Sequence, residues 1–165
     1  MNELQQVEAG VMLRRFAEGV YEQPGVEPLL LDLQDNHGCD VLLLLYACWL
    51  GQRREAASFS RWEAIVDWHW PWQAQVVTPL RTARRFLKGR EDSADLYVKV
   101  KGCELEAELL QLERLASHDR GEALDIRRDD SVEEQLAACC DAQGIELSAA
   151  LRGRLDRLAV LAAPL

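Results

Sequence analysis

Four basic side chains lie on one face of a helix predicted near the middle of the chain. Arg84, Arg85 and Lys88 follow Arg81 by three, four and seven residues, the spacings that share a helical face. Residues 79–90 contain five basic residues and no acid, whereas the whole chain carries a formal charge of −9. Guanidinium groups form paired hydrogen bonds with carboxylates and phosphates. The pattern therefore predicts a binding site for an acidic or phosphate-bearing partner.

Two tryptophans extend this predicted site. Trp70 and Trp72 flank Pro71 shortly before the basic face, and indole rings stack on the planar groups of bound ligands. We therefore include both tryptophans with the four basic residues in the predicted anion- or partner-binding site. A competing interpretation is that the basic residues pair with the protein's own surplus of acids and cover the indole faces.

A second group of polar side chains offers a different chemistry. Asp35, His37 and Asp40 are close in sequence, and His69 lies within the Trp68–Trp72 cluster. An imidazole near carboxylates can transfer protons, so these four residues define an alternative pocket for a small ligand or a substrate. No serine or cysteine nucleophile is near His69 in the sequence, and Asp35 and Asp40 also suit a turn and a helix cap. The spacing fits no known metal-binding loop, so we expect no metal and no cofactor.

The elements that would position these residues are helices. Of the 165 residues, 48% are apolar and 28% are charged, which is a soluble globular balance. Leucine and alanine dominate, which favours helix and argues against an all-β fold. We predict an all-α, single-domain bundle of about six or seven helices that ends in a helical hairpin. The expected divisions are a core at 1–117, a charged linker at 118–130 and a C-terminal hairpin at 131–165, which packs on the core or on a partner.

Periodicity, capping residues and glycines delimit the individual helices. They are predicted over 7–22, 28–34, 41–51, 61–68, 72–89, 93–117 and 131–143, with a last helix after Ser148. The predicted N-caps are Asp40, Ser60, Asp92, Ser131 and Ser148. Residues 35–38 are expected to form a turn, and Pro79 is expected to kink or restart its helix. Because residues 41–50 are apolar on every face, their helix is predicted at the centre of the core.

Charge and cysteine content narrow the functional class. The net charge of −9 excludes a large basic surface for nucleic acid, so nucleic-acid binding is not expected except through the local basic face. The chain has five cysteines, which is an odd number, and two of them are adjacent. We therefore expect reduced thiols and a cytoplasmic location. The first ten residues include two glutamates and no apolar run, so no secretory signal is expected. The longest apolar run, Val41–Leu50, is about half the length that crosses a bilayer.

Several short strings occur together over residues 12–116. They are Phe16-Ala17, Pro24-Gly25-Val26, Leu33-Gln34-Asp35, Asp40-Val41, Pro79-Leu80-Arg81 and Glu104-Leu105-Glu106-Ala107-Glu108. In this combination the chain resembles a family of small uncharacterised proteobacterial proteins that is defined by a domain of unknown function. The chain differs at Leu42, where that family is expected to have asparagine. The resemblance implies a helical fold and a bacterial cytosolic setting, and it implies no catalytic residue.

The sequence thus favours an interaction module without enzymatic activity, which binds an acidic protein or a phosphate-bearing partner through the basic face. The first alternative is a small-ligand-binding protein or enzyme, with its pocket near the 35–40 turn and the Trp68–Trp72 cluster. The second is a structural protein that oligomerises through the C-terminal hairpin. The chain is expected to be a monomer or a homodimer.

Overall fold

Eight α-helices form within residues 2–55, 57–119 and 131–163, the part of the chain that the computed structural model describes. They are α1 (Glu3–Glu22), α2 (Val26–His37), α3 (Val41–Gln52), α4 (Phe59–Trp72), α5 (Thr78–Leu87), α6 (Ala94–His118), α7 (Val132–Ala142) and α8 (Ala149–Leu161). A π-helical segment (Gln73–Val77) joins α4 to α5 without a break, and a 3₁₀ turn (Glu91–Ser93) precedes α6. Because α4 and α5 form one continuous helix, the described residues make seven helices, and they contain no strand. The predicted all-α, single-domain bundle is confirmed.

Helix α3 lies at the centre of the core. Every residue from Val41 to Cys48 is buried, as a helix that is apolar on all faces requires. One continuous cluster of buried side chains joins α3 to α1, α2, α4, α6, α7 and α8. The central position predicted for residues 41–50 is therefore observed.

The C-terminal helices pack on this core. Helix α7 packs against α3 and α4, while α8 packs against α2 and α7. Ser131 and Ser148 cap them as predicted, because their hydroxyl oxygens accept hydrogen bonds from the backbone N–H groups of Glu134 and Leu151. Of the expected linker at 118–130, only residues 118 and 119 belong to the described residues.

Three local predictions are wrong. Ser58 rather than Ser60 caps α4, which begins two residues earlier than expected. The predicted turn over residues 35–38 is mostly helix, because α2 continues to His37 and ends at Gly38, whose φ of 67° suits glycine. Asp92 lies in the 3₁₀ turn, where its carboxylate accepts a hydrogen bond from the Ser93 hydroxyl instead of capping α6.

The helix also passes through both of its prolines, although the sequence predicted breaks there. Pro71 lies inside α4, and Pro79 lies in the first turn of α5. Directly before Pro79 the helix widens, since the Thr78 N–H bonds to the carbonyl of Gln73, five residues back. A proline ring has no N–H and crowds the carbonyl four residues earlier. The π-helical segment gives that ring room, so the helix continues where a kink or restart was expected.

A buried ion pair fixes the end of α6 to the core. The Arg61 guanidinium donates to both carboxylate oxygens of Asp119 and, over 2.9 Å, to its backbone carbonyl oxygen. The Tyr46 hydroxyl donates to the same carboxylate. The Arg61 and Asp119 side chains are only 9% and 6% exposed, so loss of either partner would leave a buried, unpaired charge. This pair joins the end of α6 to α3 and α4, and so positions Gln111 two turns earlier.

Residues 78–103 form an arm outside the core. They comprise α5, the following turn and the first part of α6, and none of them is buried. Helix α5 packs against α6 and the π-helical segment. Phe86 and Val98 on this arm are each 66% exposed. The predicted basic face therefore belongs to a part of the molecule that has no fully buried side chain.

Helices α3 and α7 cross where a glycine allows close approach. A Cβ atom placed on Gly51 would lie 2.6 Å from Cα and 2.8 Å from Cγ2 of Val132. No such contact is tolerated, so any larger residue at position 51 would force the first turn of α7 away from α3.

We therefore expect Gly51→Ala to lower the free energy of unfolding by about 1–3 kcal/mol, because overpacking displaces α7. Chemical denaturation followed by circular dichroism measures this change. Gly102→Ala is the matched control, since Gly102 is helical and exposed with open space around it. The control should raise the stability by roughly 0.5–1 kcal/mol through helix propensity. Equal stability of Gly51→Ala and the native protein would contradict the observed crossing.

Candidate functional site

Asp40 connects three parts of the fold through hydrogen bonds. Its carboxylate caps α3, because Oδ1 accepts from the Leu43 N–H over 3.1 Å. The second carboxylate oxygen lies 2.7 Å from Nε2 of His69 on α4. The Asp40 backbone N–H donates to Oε1 of Gln143, just after α7, over 2.9 Å. The cap was predicted from the sequence, whereas the contacts with α4 and α7 were not.

His69 is buried between two polar partners. The residue is only 2% exposed. Because a carboxylate only accepts hydrogen bonds, the imidazole must donate from Nε2 to Asp40. The Gln111 amide nitrogen lies 3.1 Å from Nδ1, which must therefore accept. The two contacts together specify the imidazole tautomer that carries its proton on Nε2.

A cavity of about 270 Å³ opens beside this pair. The 38–40 loop, α3, α4, the π-helical segment, α5 and the ends of α2 and α7 all line it. Its polar lining consists of Gln34, Asp40, His69, Gln73, Thr78, Arg81 and Gln143. Its apolar lining consists of Cys39, Leu43, Val66 and Trp70 beside Gly38. The Asp40–His69 pair thus faces a space that a small molecule can enter.

The basic face is largely neutralised by acids of the protein itself. Arg81 donates from Nε to Glu104 and from Nη2 to Glu108, each over 3.0 Å. Arg84 also donates to both carboxylate oxygens of Glu104. The Arg81 and Arg84 side chains are only 13% and 16% exposed. Arg81 and Arg84 thus pair with the protein's own acids, as the competing interpretation of the sequence expected.

The remaining basic residues are more open to solvent. The Arg85 side chain is 53% exposed and donates to Oδ1 of Asp35 over 2.7 Å. Lys88 is exposed. Arg90 lies over the ring of Phe86, with its guanidinium carbon 4.1 Å from the ring centroid. The exposed positive charge is therefore concentrated at the far end of α5.

The tryptophans of the 68–72 cluster point to different surroundings. Trp70 is 65% exposed and lines the cavity. The Trp72 indole donates to the Ala107 carbonyl over 3.1 Å, and the Arg114 guanidinium covers its ring. Trp68 stacks on the imidazole of His118 at 4.5 Å between centroids. Only Trp70 therefore combines exposure with a place at the cavity.

The structure brings together half of the alternative pocket seen in the sequence. Asp40 and His69 are in contact, whereas Asp35 and His37 do not line the cavity and lie in the last turn of α2. Gln143 carries no signal in the sequence that points to this site. Gln111 does carry a signal, because it is a lone amide within the apolar stripe of α6 and is only 2% exposed.

Glu108 lies at the junction of the arm and the core. Burial raises the pKa of its carboxyl to about 7, although Arg81 opposes this effect; the nearby Glu104 adds to it. Its side chain is 19% exposed. The charge on Glu108, and hence the strength of its ion pair with Arg81, therefore changes near neutral pH.

Within the described ranges, no three side chains of the histidine, cysteine, aspartate or glutamate type converge to hold a metal ion. None of the helices in those ranges combines the length and the apolar character that a bilayer span needs.

The chain matches a known protein family. Residues 12–115, more than half of the chain, match the model of a family described as a protein of unknown function, DUF2390. Neither the curated proteins nor the solved structures provide a match.

The pKa of Glu108 predicts a pH dependence of stability. The folded-state pKa, about 7, lies above the ordinary value of 4.5, so the folded protein binds this proton more tightly than the unfolded chain. The contribution of this proton to the free energy of unfolding is fully present below pH 4.5 and is lost as the pH rises through 7. Glu108→Gln keeps an acceptor for Arg81 and has no proton to lose.

Between pH 5 and 8, we expect the stability of Glu108→Gln relative to the native protein to rise by roughly 1–3 kcal/mol. Urea denaturation at a series of pH values measures the difference. The control is Glu63→Gln, which removes an exposed carboxylate on α4. If Glu108→Gln and the native protein keep the same difference at every pH, Glu108 does not have a raised pKa.

Proposed function

Since the chain belongs to the DUF2390 family, as the sequence resemblance suggested, and the function of that family is unknown, we propose a function from its own geometry. The protein binds a small, flat molecule that is neutral or cationic and carries an N–H donor. The binding site is the cavity beside Asp40 and His69. The observation that carries this proposal is the partly open Asp40 carboxylate, which faces a cavity of about 270 Å³.

The size and lining of the cavity support a small ligand. Its volume is just below the range of about 300–1,000 Å³ that is typical of small-molecule pockets. Apolar groups such as Leu43 and Val66 alternate with amides and a hydroxyl around it. Pockets of this kind bind through apolar contact and use a few polar groups for orientation.

The charges around the cavity favour a neutral or cationic ligand. The Asp40 side chain is 13% exposed, and a carboxylate oxygen can accept more than one hydrogen bond. Arg81 is the cationic side chain of the lining, and its Nε and Nη2 already donate to Glu104 and Glu108. The Asp40 carboxylate would therefore repel an anionic ligand. Arg81, which already pairs with two glutamates, would compensate this repulsion only in part.

Trp70 supports a flat ligand. Its indole lines the cavity and is mostly exposed, so one face is available to a ring or a planar cation. His69 supports binding rather than proton transfer, because both ring nitrogens already have partners within the protein. The five cysteines are free thiols, which favours the reducing environment of the cytoplasm as the location of this binding protein.

Three compounds of one shape test this proposal: benzamidine, benzamide and benzoate carry a cationic, a neutral and an anionic group on the same ring. Titration followed by protein NMR should give a dissociation constant for benzoate at least about tenfold weaker than for benzamidine, because benzoate meets the Asp40 charge. Trp70→Ala should weaken benzamidine binding by about two- to tenfold.

Phe86→Ala is the matched control, because Phe86 is equally exposed but lies on the arm away from the cavity lining. Asp40→Asn tests the carboxylate directly, with Asp35→Asn as the control outside the cavity. Equal binding of benzoate and benzamidine, or benzamidine binding that Trp70→Ala leaves unchanged, would contradict the proposed ligand class.

A second candidate function is an interaction with an acidic partner at the far end of α5. Arg85 and Lys88 are exposed there, and Phe86 adds an exposed ring between them. Basic and aromatic side chains side by side favour an acidic peptide over a neutral one. Of the four basic residues predicted from the sequence, this partner site includes Arg85 and Lys88, whereas Arg81 and Arg84 have a structural role.

For this second function we expect native protein to bind a fluorescent polyglutamate peptide at low salt, measured by fluorescence anisotropy. The combined change Arg85→Glu and Lys88→Glu should abolish that binding, since it reverses the local charge. The control combines Arg152→Glu and Arg157→Glu on α8, two exposed residues with the same total charge change. Equal loss in both variants would show that only net charge matters and would contradict a site on α5.

A further inference from the structure

Arg81 belongs both to the cavity and to the ion pairs at the base of the arm. It lines the cavity, and its Nε and Nη2 donate to Glu104 and Glu108 over 3.0 Å each. Its other terminal nitrogen, Nη1, has no hydrogen-bond partner among the described residues. Arg81 therefore keeps a donor for a ligand in the cavity, while the two glutamates determine how much of its positive charge is neutralised.

The two glutamates hold Arg81 in different ways. Glu104 accepts from Arg84 as well as from Arg81, so its negative charge is divided between two guanidinium groups. Within the described ranges, Glu108 accepts from Arg81 alone. A change in the charge of Glu108 therefore acts directly on Arg81.

The charges on this side of the cavity balance only while Glu108 is ionised. Arg81 and Arg84 carry two positive charges, and Glu104 and Glu108 carry two negative ones. The carboxylate of Asp40 then gives the lining an excess of negative charge, which repels an anion. With Glu108 neutral, Arg81 keeps a surplus of positive charge that offsets Asp40.

The surroundings of Glu108 favour its neutral form. It lines a second, small cavity whose other walls are Tyr21 and five leucines of α3 and α6. Burial there raises the pKa of Glu108 to about 7; Arg81 lowers this pKa, whereas the charges of Glu104 and Asp40 raise it. Tyr21 on α1 adds no charge, because burial raises the pKa of its phenol above the ordinary value of 10.

We propose that Glu108 sets the charge selectivity of the cavity by controlling how far Arg81 is neutralised. While Glu108 is ionised, the cavity favours neutral and cationic ligands and rejects anions. When Glu108 takes up a proton, Arg81 becomes available to an anionic group in the same cavity. Glu108 is thus a positioning residue that acts on the ligand through Arg81. This inference rests on the proposed function for the location of the binding site.

Benzoate is the probe for this change of selectivity. Its own carboxyl, with an ordinary pKa of about 4, stays ionised above pH 6, so only groups of the protein titrate between pH 6 and 8. Titration of the native protein followed by NMR should show a benzoate affinity about three- to tenfold higher at pH 6 than at pH 8, because the anion binds better once Glu108 is neutral. This measurement needs no variant.

Glu108→Gln keeps the size of the side chain and removes its charge. At pH 8 this variant should bind benzoate about three- to tenfold more tightly than the native protein does, with an affinity that stays constant between pH 6 and 8. Glu106→Gln is the matched control and should behave like the native protein, because Glu106 lies on the same helix but pairs with Arg14 and does not line the cavity. Adding Arg81→Gln to Glu108→Gln should remove the gain, since the cation that meets benzoate is then absent.

Circular dichroism establishes that each variant is folded. Three outcomes would overturn the proposal: a native benzoate affinity that is the same at pH 6 and pH 8, a pH dependence that Glu108→Gln leaves intact, or a gain in benzoate affinity that persists without Arg81.

Benzamidine separates this inference from the proposed ligand. If the native protein does not bind benzamidine, the proposed ligand class is contradicted, but benzoate binding gained through Glu108→Gln would still support the role of Glu108. If benzamidine binds as proposed and Glu108→Gln leaves the benzoate affinity unchanged, the ligand class stands and the role of Glu108 is overturned.

Discussion

The structure depends on the requirement that a buried imidazole and a buried amide have hydrogen-bond partners. His69 is buried beside the cavity, where an unpaired ring nitrogen would cost about 1–3 kcal/mol. Asp40 and Gln111 satisfy its two nitrogens, and Gln143 holds the backbone of Asp40. Because these residues come from α3, α4, α6 and α7, one set of hydrogen bonds fixes the relative positions of four helix segments.

The ion pairs at the base of the arm serve the same purpose at lower burial. Residues 78–103 have no fully buried side chain, and ion pairs link α5 to α6. Glu104, which is only 7% exposed, accepts from both Arg81 and Arg84. Arg81 also lines the cavity, and so the arm and the cavity share one residue. The spacing of Arg81 in the sequence suggested a side chain free to bind a partner, whereas in the structure Arg81 links the arm to the core.

Much of the fold could be predicted from the sequence, because the signals were local. Helix α3 is apolar on every face and had to be central, and Asp40 stood directly before it as a cap. The contact between Asp40 and His69 could not be predicted, since the residues are 29 positions apart and belong to different helices, of which Asp40 caps one. The pairing of Arg81 with Glu104 was equally hidden, because an acidic chain offers many candidate carboxylates. The π-helical segment depends on how the helix accommodates Pro79, which no periodic pattern records.

Asp40 holds His69 at Nε2, and Gln111 holds it at Nδ1. Nitrogen-15 NMR of the histidine rings tests this arrangement, because protonated and unprotonated ring nitrogens have distinct chemical shifts. The structure predicts for His69 a protonated Nε2, an unprotonated Nδ1 and an Nε2–H proton that exchanges slowly with solvent. A His69 ring that carries its proton on Nδ1, or whose two nitrogens are averaged by rapid exchange, would contradict the account.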